Sequence, residues 1–427
     1  MPHRMRRILL FTVFAVMSVP SLVADEDPVI LESIRTVITG KTRRNALLRE
    51  LRLSEGMGFP NEEEMLRVAA FRIRNLRDRG LFKEFETEIR ERAPGLYELD
   101  IRIVDAFTLY PAPIVAYSSD LGIIVGGTAA YQNAFGSMTD QIVMGFWSPA
   151  KTYIMARAGN IAAGPVTLEV TFEQEMGLNR FGSPTGDVVL RFDSMRTQAS
   201  VLVDVPMGFD GSWSYWIEPI VSLLYNYELD YNLSRSLGDN QFFDRGLAPG
   251  FDHGVVFDGI AKEGNLRRGI RFDVMNTNLW YTGTRRSDVF LESYLTGLIP
   301  AADWLEFSGR IGGFYAAAGT RREAGDRLRG TLDYMTYGTA GSYLTGQVNF
   351  VMFQPPGGFE LHIRPFADIG YVHSEEWNNG PDAFEYCVGS SLIFYIPALQ
   401  SLSLNLDFGW DIKRRGLEVI VGFEPFI

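Results

Sequence analysis

The sequence runs to 427 residues, 46% of them hydrophobic, with 43 glycines, 13% aromatics and a net charge of -12. One apolar run, Ile8 to Ala24, and a mean hydropathy of -0.01 exclude a bundle of membrane-spanning helices, which needs several stretches of about 20 apolar residues. The lone Cys387 excludes an intramolecular disulfide and cysteine-rich metal or redox motifs, and the acidic balance speaks against a nucleic-acid partner, whose phosphates demand a basic face.

Residues 1–24 read as a secretory signal peptide. Arg4, Arg6 and Arg7 precede the apolar run through Val19, and Pro20 and Ser21 to Ala24 precede Asp25, Glu26 and Asp27. Leu22 stands where a small residue is usual, three before a cut after Ala24. The expectation is an exported chain.

From residue 25 to about 105 the pattern is mixed. An extended piece, Ile34 to Ile38, ends at Gly40, and Leu47, Leu48 and Leu51 have helical spacing. Asn61 is placed to cap a second helix, with Glu62, Glu63 and Glu64 at the positive end of its dipole and Glu64 at the capping-box position. Leu66, Ala69, Ala70, Ile73 and Leu76 are expected to form its apolar face, and Arg79 and Gly80 to stop it. Two alternating strands follow, around Phe85 to Ile89 and Leu99 to Ile103, separated by a turn at Pro94 and Gly95. The expected order is strand, helix, helix, strand, strand.

After Pro111 the period changes to two. Val166, Leu168, Val170 and Phe172 interleave with Thr167, Glu169, Thr171 and Glu173; Ile270, Phe272 and Val274 with Arg271 and Asp273; Leu402, Leu404, Leu406, Phe408 and Trp410 with Ser403, Asn405, Asp407 and Gly409. Alternation fits either a soluble sandwich or a barrel in lipid with a wet interior. Export, the size of the all-β region and the aromatics Trp147, Trp216, Trp280, Tyr281 and Trp410, read as interface girdles, favour the barrel. Dividing about 315 residues by roughly 20 per strand and turn gives about sixteen antiparallel strands over 106–427.

The segment from Ile34 to Ile103 resembles a POTRA (polypeptide-transport-associated) domain. The resemblance rests on Ile38, Thr39 and Gly40; Leu48, Arg49, Glu50 and Leu51; Glu55, Gly56 and Phe59; and Leu76, Gly80, Leu81, Phe82 and Phe85. Tyr110 to Ile114 and the hairpin at Gly122, Gly126 and Gly127 are similar to the opening of the BamA/TamA family of outer-membrane barrels. Leu328, Arg329 and Gly330 resemble that family's inserted-loop motif, and Phe366, Asp368 and Gly370 its downstream Phe-x-Asp-x-Gly. The sequence departs from the family's pattern at Thr331, where an aromatic is usual, and at Gln347, Asn349 and Val351, where the strand after the loop lacks its acid.

The resemblance implies an outer-membrane barrel with one periplasmic POTRA domain that inserts or translocates other polypeptides. Its partners are then membrane lipid, unfolded polypeptide clients and periplasmic accessory proteins. The domain's edge strand would hold an extended client by strand addition and deliver it to the seam between the first strand, Pro113 to Ser118, and the last, Leu417 to Phe426. Val115 and Val421 are expected near each other across that seam, and Pro425 weakens it because it has no N–H to donate. A loop from Gly319 to Tyr343, too long for a hairpin turn, either floats outside or folds into the lumen. Folding in costs about 1–2 kcal/mol per residue ordered, which an Arg329–Asp368 clamp is suited to offset. The alternative is a porin-like channel or a surface-exposed structural protein.

Enzyme motifs are missing. No Walker loop, GxSxG elbow or HExxH occurs, and His3, His253, His362 and His373 show no metal-ligand spacing, so neither catalysis nor a cofactor or metal is expected. His362, beside Glu360, Arg364 and Asp368, reads as one of a set of paired lumen charges, as do Arg191, Asp193, Arg271 and Asp273. Cys387 reads as lumen filler alternating with Glu385 and Gly389.

Overall fold

The computed structural model describes residues 28–118, 121–182, 188–207, 212–227, 246–263, 266–318, 322–323, 327–329, 337–355, 359–373, 384–395 and 402–425. The signal-like residues 1–24 lie outside them.

The N-terminal unit is built from β1 (Val29–Thr39), α1 (Arg44–Leu51), β2 (Met57–Phe59), α2 (Glu62–Asp78), β3 (Phe82–Ala93) and β4 (Leu96–Asp105). Its sheet runs β2-β1-β4-β3, with β1 and β4 parallel at the centre. Asn61 caps α2 through its side-chain oxygen, which accepts from the Glu64 N–H at 2.8 Å. Gly80, at φ 68°, ends it. Leu47 and Leu51 of α1 pack with Met65, Val68, Ala69, Ile73 and Leu76 of α2 over Leu99, Ile101 and Ile103.

Two details differ from the sequence reading. The apolar face of α2 is set by Met65 and Val68, while Leu66 and Ala70 are exposed; the spacing 65, 68, 69, 73, 76 completes the helical stripe, and Leu66 lies off it. The short β2, three residues paired antiparallel with the start of β1, was not anticipated, since three residues carry no readable period.

The barrel strands follow: β5 (Leu109–Ser118), β6 (Gly122–Ala134), β7 (Thr139–Trp147), β8 (Lys151–Ala163), β9 (Val166–Gly182) and β10 (Val188–Met207). Next come β11 (Trp213–Tyr227), β12 (Gly246–Asp258), the short β13 (Ala261–Glu263), β14 (Leu266–Tyr281), β15 (Arg286–Ala302) and β16 (Leu305–Ala318). The series ends with the paired fragments β17 (Arg322–Glu323) and β18 (Tyr337–Gly338), then β19 (Ala340–Phe353), β20 (Glu360–His373), β21 (Phe384–Tyr395), β22 (Leu402–Asp411) and β23 (Gly416–Pro425). With β13, β17 and β18 set aside, sixteen antiparallel strands close on themselves, β23 meeting β5.

The exterior is apolar: Val115, Ile123, Val143, Val221, Leu223, Ile270, Ile311 and Leu344 are exposed. A continuous outer band of this kind is stable only in lipid. The interior is polar and paired. Arg271 grips Asp273 with two 2.9 Å hydrogen bonds, Arg196 meets Glu175 at 3.0 Å, and His362, fully buried, lies 3.3 Å from Glu360 and 3.2 Å from Asn349.

Strand phase corrects several assignments. Trp147, Trp280 and Trp410 face outward at the barrel end far from the N-terminal unit. Trp216 faces inward, because Val221, Leu223 and Tyr225 hold the outer phase of β11 and Ile220 and Ser222 the inner one; it packs over Gly254, where a Cβ would lie 2.9 Å from the ring. Tyr281 also points inside, donating to Asp288 at 3.0 Å. Asp193 shares the outer phase of β10 with Met195, which pairs with exposed Met176 and Tyr225, so it is not a lumen charge. The side chain of Arg191 lies outside the described residues.

Candidate functional site

The chain between β16 and β19 folds into the lumen at Arg327, Leu328 and Arg329. Asp368 on β20, its side chain fully buried, receives three hydrogen bonds from Arg329: 2.9 Å from the backbone N–H, 3.1 Å from Nε and 2.7 Å from Nη2. Nη1 donates to Gln347 Oε1 on β19, and the guanidinium lies 4.0 Å from the centre of the Phe366 ring. Gln347 thus supplies an acceptor on the strand where the usual acid is missing. Gly330 and Thr331 lie outside the described residues.

Sequence reasoning missed the other half of this arrangement. Arg327 forks onto Glu292 of β15, Nε to Oε1 at 2.8 Å and Nη2 to Oε2 at 2.6 Å, and Tyr343 donates to the same carboxylate at 3.1 Å. Leu328, between the two arginines, is buried with Tyr343 and Cys387. Gly370 lies directly beneath it: a Cβ there would come within 2.6 Å of Leu328 Cδ1, so any larger residue would displace the leucine. Cys387 is therefore the floor of a small apolar socket under the loop tip. Nothing in the sequence ties Arg327 to Glu292, 35 residues earlier.

The second feature is the seam. Ten residue pairs join β5 to β6 and ten join β22 to β23, but β23 meets β5 through only Ile420–Ser118 and Val421–Tyr117. From Leu109 to Ala116 no described residue of β23 is laddered to β5. The register sets Val421 against Tyr117, two positions from Val115. Pro425, the last described residue, has its place in the ladder opposite Leu402 of β22.

The third feature joins the two units. The turn between β6 and β7 holds Asn133, Phe135 and Met138 at φ 50°, 54° and 63° and Gly136 at 73°, a run of left-handed residues that costs free energy unless its surroundings impose it. Met138, fully buried, completes the hydrophobic core of the N-terminal unit. Asn133, equally buried, donates to Thr42 Oγ1 at 2.6 Å and accepts from the Met138 N–H at 2.9 Å. The Gly136 carbonyl accepts from the Arg43 N–H at 3.0 Å, and a Cβ on Gly136 would overlap the Lys41 carbonyl.

Glu50 accepts from Arg79 at 2.8 Å and from Asn160 of β8 at 2.9 Å, while Arg79 reaches Asp140 at 3.0 Å. Asp105 accepts from the Lys41 and Thr42 N–H groups at 2.7 and 2.9 Å and from Thr42 Oγ1 at 2.7 Å; Gly40, at φ 138°, leaves the space its carboxylate fills. Of the residues that carried the POTRA resemblance, Glu50 thus serves the junction, Gly40, Gly56 and Gly80 occupy positive-φ positions, and Phe82 lies in the core beside Phe85. A cleft of about 840 Å³ remains between the helices of the N-terminal unit and the barrel turns at Gly164 and Ser212.

No family model matches the chain, and no curated protein sequence matches it. Solved structures do. CdiB from Escherichia coli aligns over 92% of this chain and 76% of its own at 12% identity, with a TM-score of 0.66. CdiB from Acinetobacter baumannii gives 0.63 at 13% identity over 92% and 73%, and BamA from Haemophilus ducreyi lacking POTRA domains 1–3 gives 0.58 at 14% over 92% and 84%. Identities this low speak for architecture. Sixteen closed strands behind a small α+β unit of POTRA type give the chain the fold of the BamA and CdiB barrels.

Proposed function

We propose that the protein is an outer-membrane barrel that inserts or translocates other polypeptides, with its N-terminal unit in the periplasm. The observation that carries the reading is the two-pair seam in a barrel otherwise laddered throughout. Two ladder pairs are easily separated, and the unpaired edge of β5 offers backbone donors and acceptors to an extended chain. The likeness to BamA and CdiB supports it.

In this mechanism β3, the longer of the two edge strands of the N-terminal sheet, receives an extended client by strand addition. The client passes to the seam, where Pro425 withholds an N–H from the closing ladder. The Arg327–Arg329 tip braces the wall from β15 to β20, so that this stretch of the barrel, which ends three strands from β23, stays rigid while the seam opens.

Depleting the protein and quantifying the outer-membrane proteome tests the reading: a selective loss of barrel proteins or of one secreted class is expected, and an unchanged proteome would overturn it. Planar-bilayer recording separates it from a porin-like channel, since a barrel with sporadic openings fits the proposal and a wide, constantly open conductance fits the channel.

A further inference from the structure

Three prolines stand on the two strands of the seam, Pro111 and Pro113 on β5 and Pro425 on β23, and the direction of the backbone decides what they do there. The Gln132 N–H donates to the Thr108 carbonyl at 2.8 Å, and the β5–β6 pairing runs unbroken from Leu109 to Ser118. Even-numbered residues of β5 therefore turn their N–H and C=O groups to β6, and odd-numbered ones turn theirs to β23. On the other side, the Ile412 N–H donates to the Tyr386 carbonyl at 3.0 Å, so odd residues of β22 face β23. Through the pairing of Asp411 with Gly416 and its successors, odd residues of β23 then face β5. Pro111, Pro113 and Pro425 all have odd numbers. Each lacks its N–H on the seam side.

Val421 and Tyr117 face each other in this way. The same register continued sets Phe423 opposite Val115 and Pro425 opposite Pro113, a pair with no donor on either strand. Single prolines elsewhere only interrupt the barrel. The β10–β11 ladder skips Pro219 between Ile220 and Ile217, the β19–β20 ladder skips Pro365 between Phe366 and Ile363, and both resume. At the seam, with prolines on both strands, no described pair follows Val421–Tyr117.

The same edge limits any other strand. Of the five positions that β5 turns to the seam, 109, 111, 113, 115 and 117, prolines remove two donors and Tyr117 already meets Val421. Leu109 and Val115 remain. A client strand laid along β5 would carry carbonyls opposite Pro111 and Pro113 that no N–H can reach, and hydrocarbon supplies no water in its place. An extended chain on the wet inner side keeps its carbonyls hydrated and avoids that cost. We propose that Pro111, Pro113 and Pro425 make the seam a passage and not a template. The wall parts there to widen the lumen around an extended polypeptide, and β5 does not build that polypeptide into a membrane strand. Resting on the function proposed above, this narrows the client to a polypeptide that crosses the membrane, and sets aside barrel proteins assembled strand by strand on β5.

Depletion of the protein, followed by quantification of both the outer membrane and the medium, separates the outcomes. Loss of one secreted class, with barrel proteins at their normal level, is expected. Loss of barrel proteins overturns this inference and leaves the function proposed above standing, whereas no change in either fraction overturns that function and this inference with it. The seam is tested in the full chain with Cys387→Ala. Cysteines at Val115 and Phe423 should crosslink at least about fivefold more slowly than cysteines at Tyr117 and Val421, a pair of the same type. Combining Pro111→Ala, Pro113→Ala and Pro425→Ala restores the donors and should make the two rates similar. The alanine variant, with its heat-dependent gel shift retained, should fail to restore secretion to depleted cells; Pro113→Ala with Pro425→Ala replaces it if three changes abolish the shift. Equal rates in the natural chain, unequal rates that the alanines leave unchanged, or full restoration of secretion by the alanine variant overturns the proposal.

Discussion

Arg329 and Asp368 form a pair in which one partner is fully buried and the other is not, and the consequence is asymmetric. Arg329→Ala strands a carboxylate away from water and should cost about 3 kcal/mol or more in a denaturant titration of the folded barrel. Asp368→Asn keeps the shape and should cost less, and the double variant should cost less than the sum because the second change removes a group already unpartnered. Additive losses would mean that the contact contributes nothing. Arg327 extends this argument. Its carboxylate partner lies on a different strand, so a protease cutting near the loop tip should gain access only when Arg327→Ala and Arg329→Ala are combined. Full exposure from either single change would show that one anchor holds the loop.

Among the elements, the β6–β7 turn and the seam make opposite demands. The turn is over-determined: Gly136→Val meets the Lys41 backbone and a positive φ together, so the variant has to push the N-terminal unit away from the barrel. Faster proteolysis between the two units, with the heat-dependent gel shift of the barrel retained, is the expected result; an unchanged digest would show that the turn is not the fastening. The seam is under-determined. With Cys387→Ala as background, cysteines at Tyr117 and Val421 should crosslink faster than cysteines at Val115 and Val421, because the ladder sets the first pair opposite each other. The reverse order would move the register by two residues.

For the molecule as a whole, the two units are not separable at the chain position where their patterns change. Met138, a barrel residue, fills the core of the N-terminal unit, and burying a methionine contributes about 1.5–3 kcal/mol. Residues 25–105 expressed alone should give a mixed helix and sheet circular-dichroism spectrum, yet melt well below the same unit in the intact chain. Equal melting would show that Met138 adds no stability. The full mature chain should require detergent or lipid and shift its gel mobility on heating, and a water-soluble, unshifted protein would refute the barrel.

The elements themselves were legible because they follow local rules. A period of 3.6 with an Asn61 cap marks a helix, a period of two marks a strand, and a turn every twenty or so residues counts sixteen of them without reference to any contact. The motif carrying Arg329 and Asp368 could be read too, because a resemblance supplied the distance between them. What lay beyond the sequence depends on phase and register. Trp216 and Tyr281 have the residue type of a girdle but the inner phase of their strands, and one residue of shift exchanges lumen for lipid. Glu292 opposite Arg327, Met138 in a core otherwise drawn from residues 29–103 and a seam of two pairs arise only when the sheet closes. Closure brings together strands that no local period relates, and the free energy of such contacts comes from burial and charge pairing created by that closure.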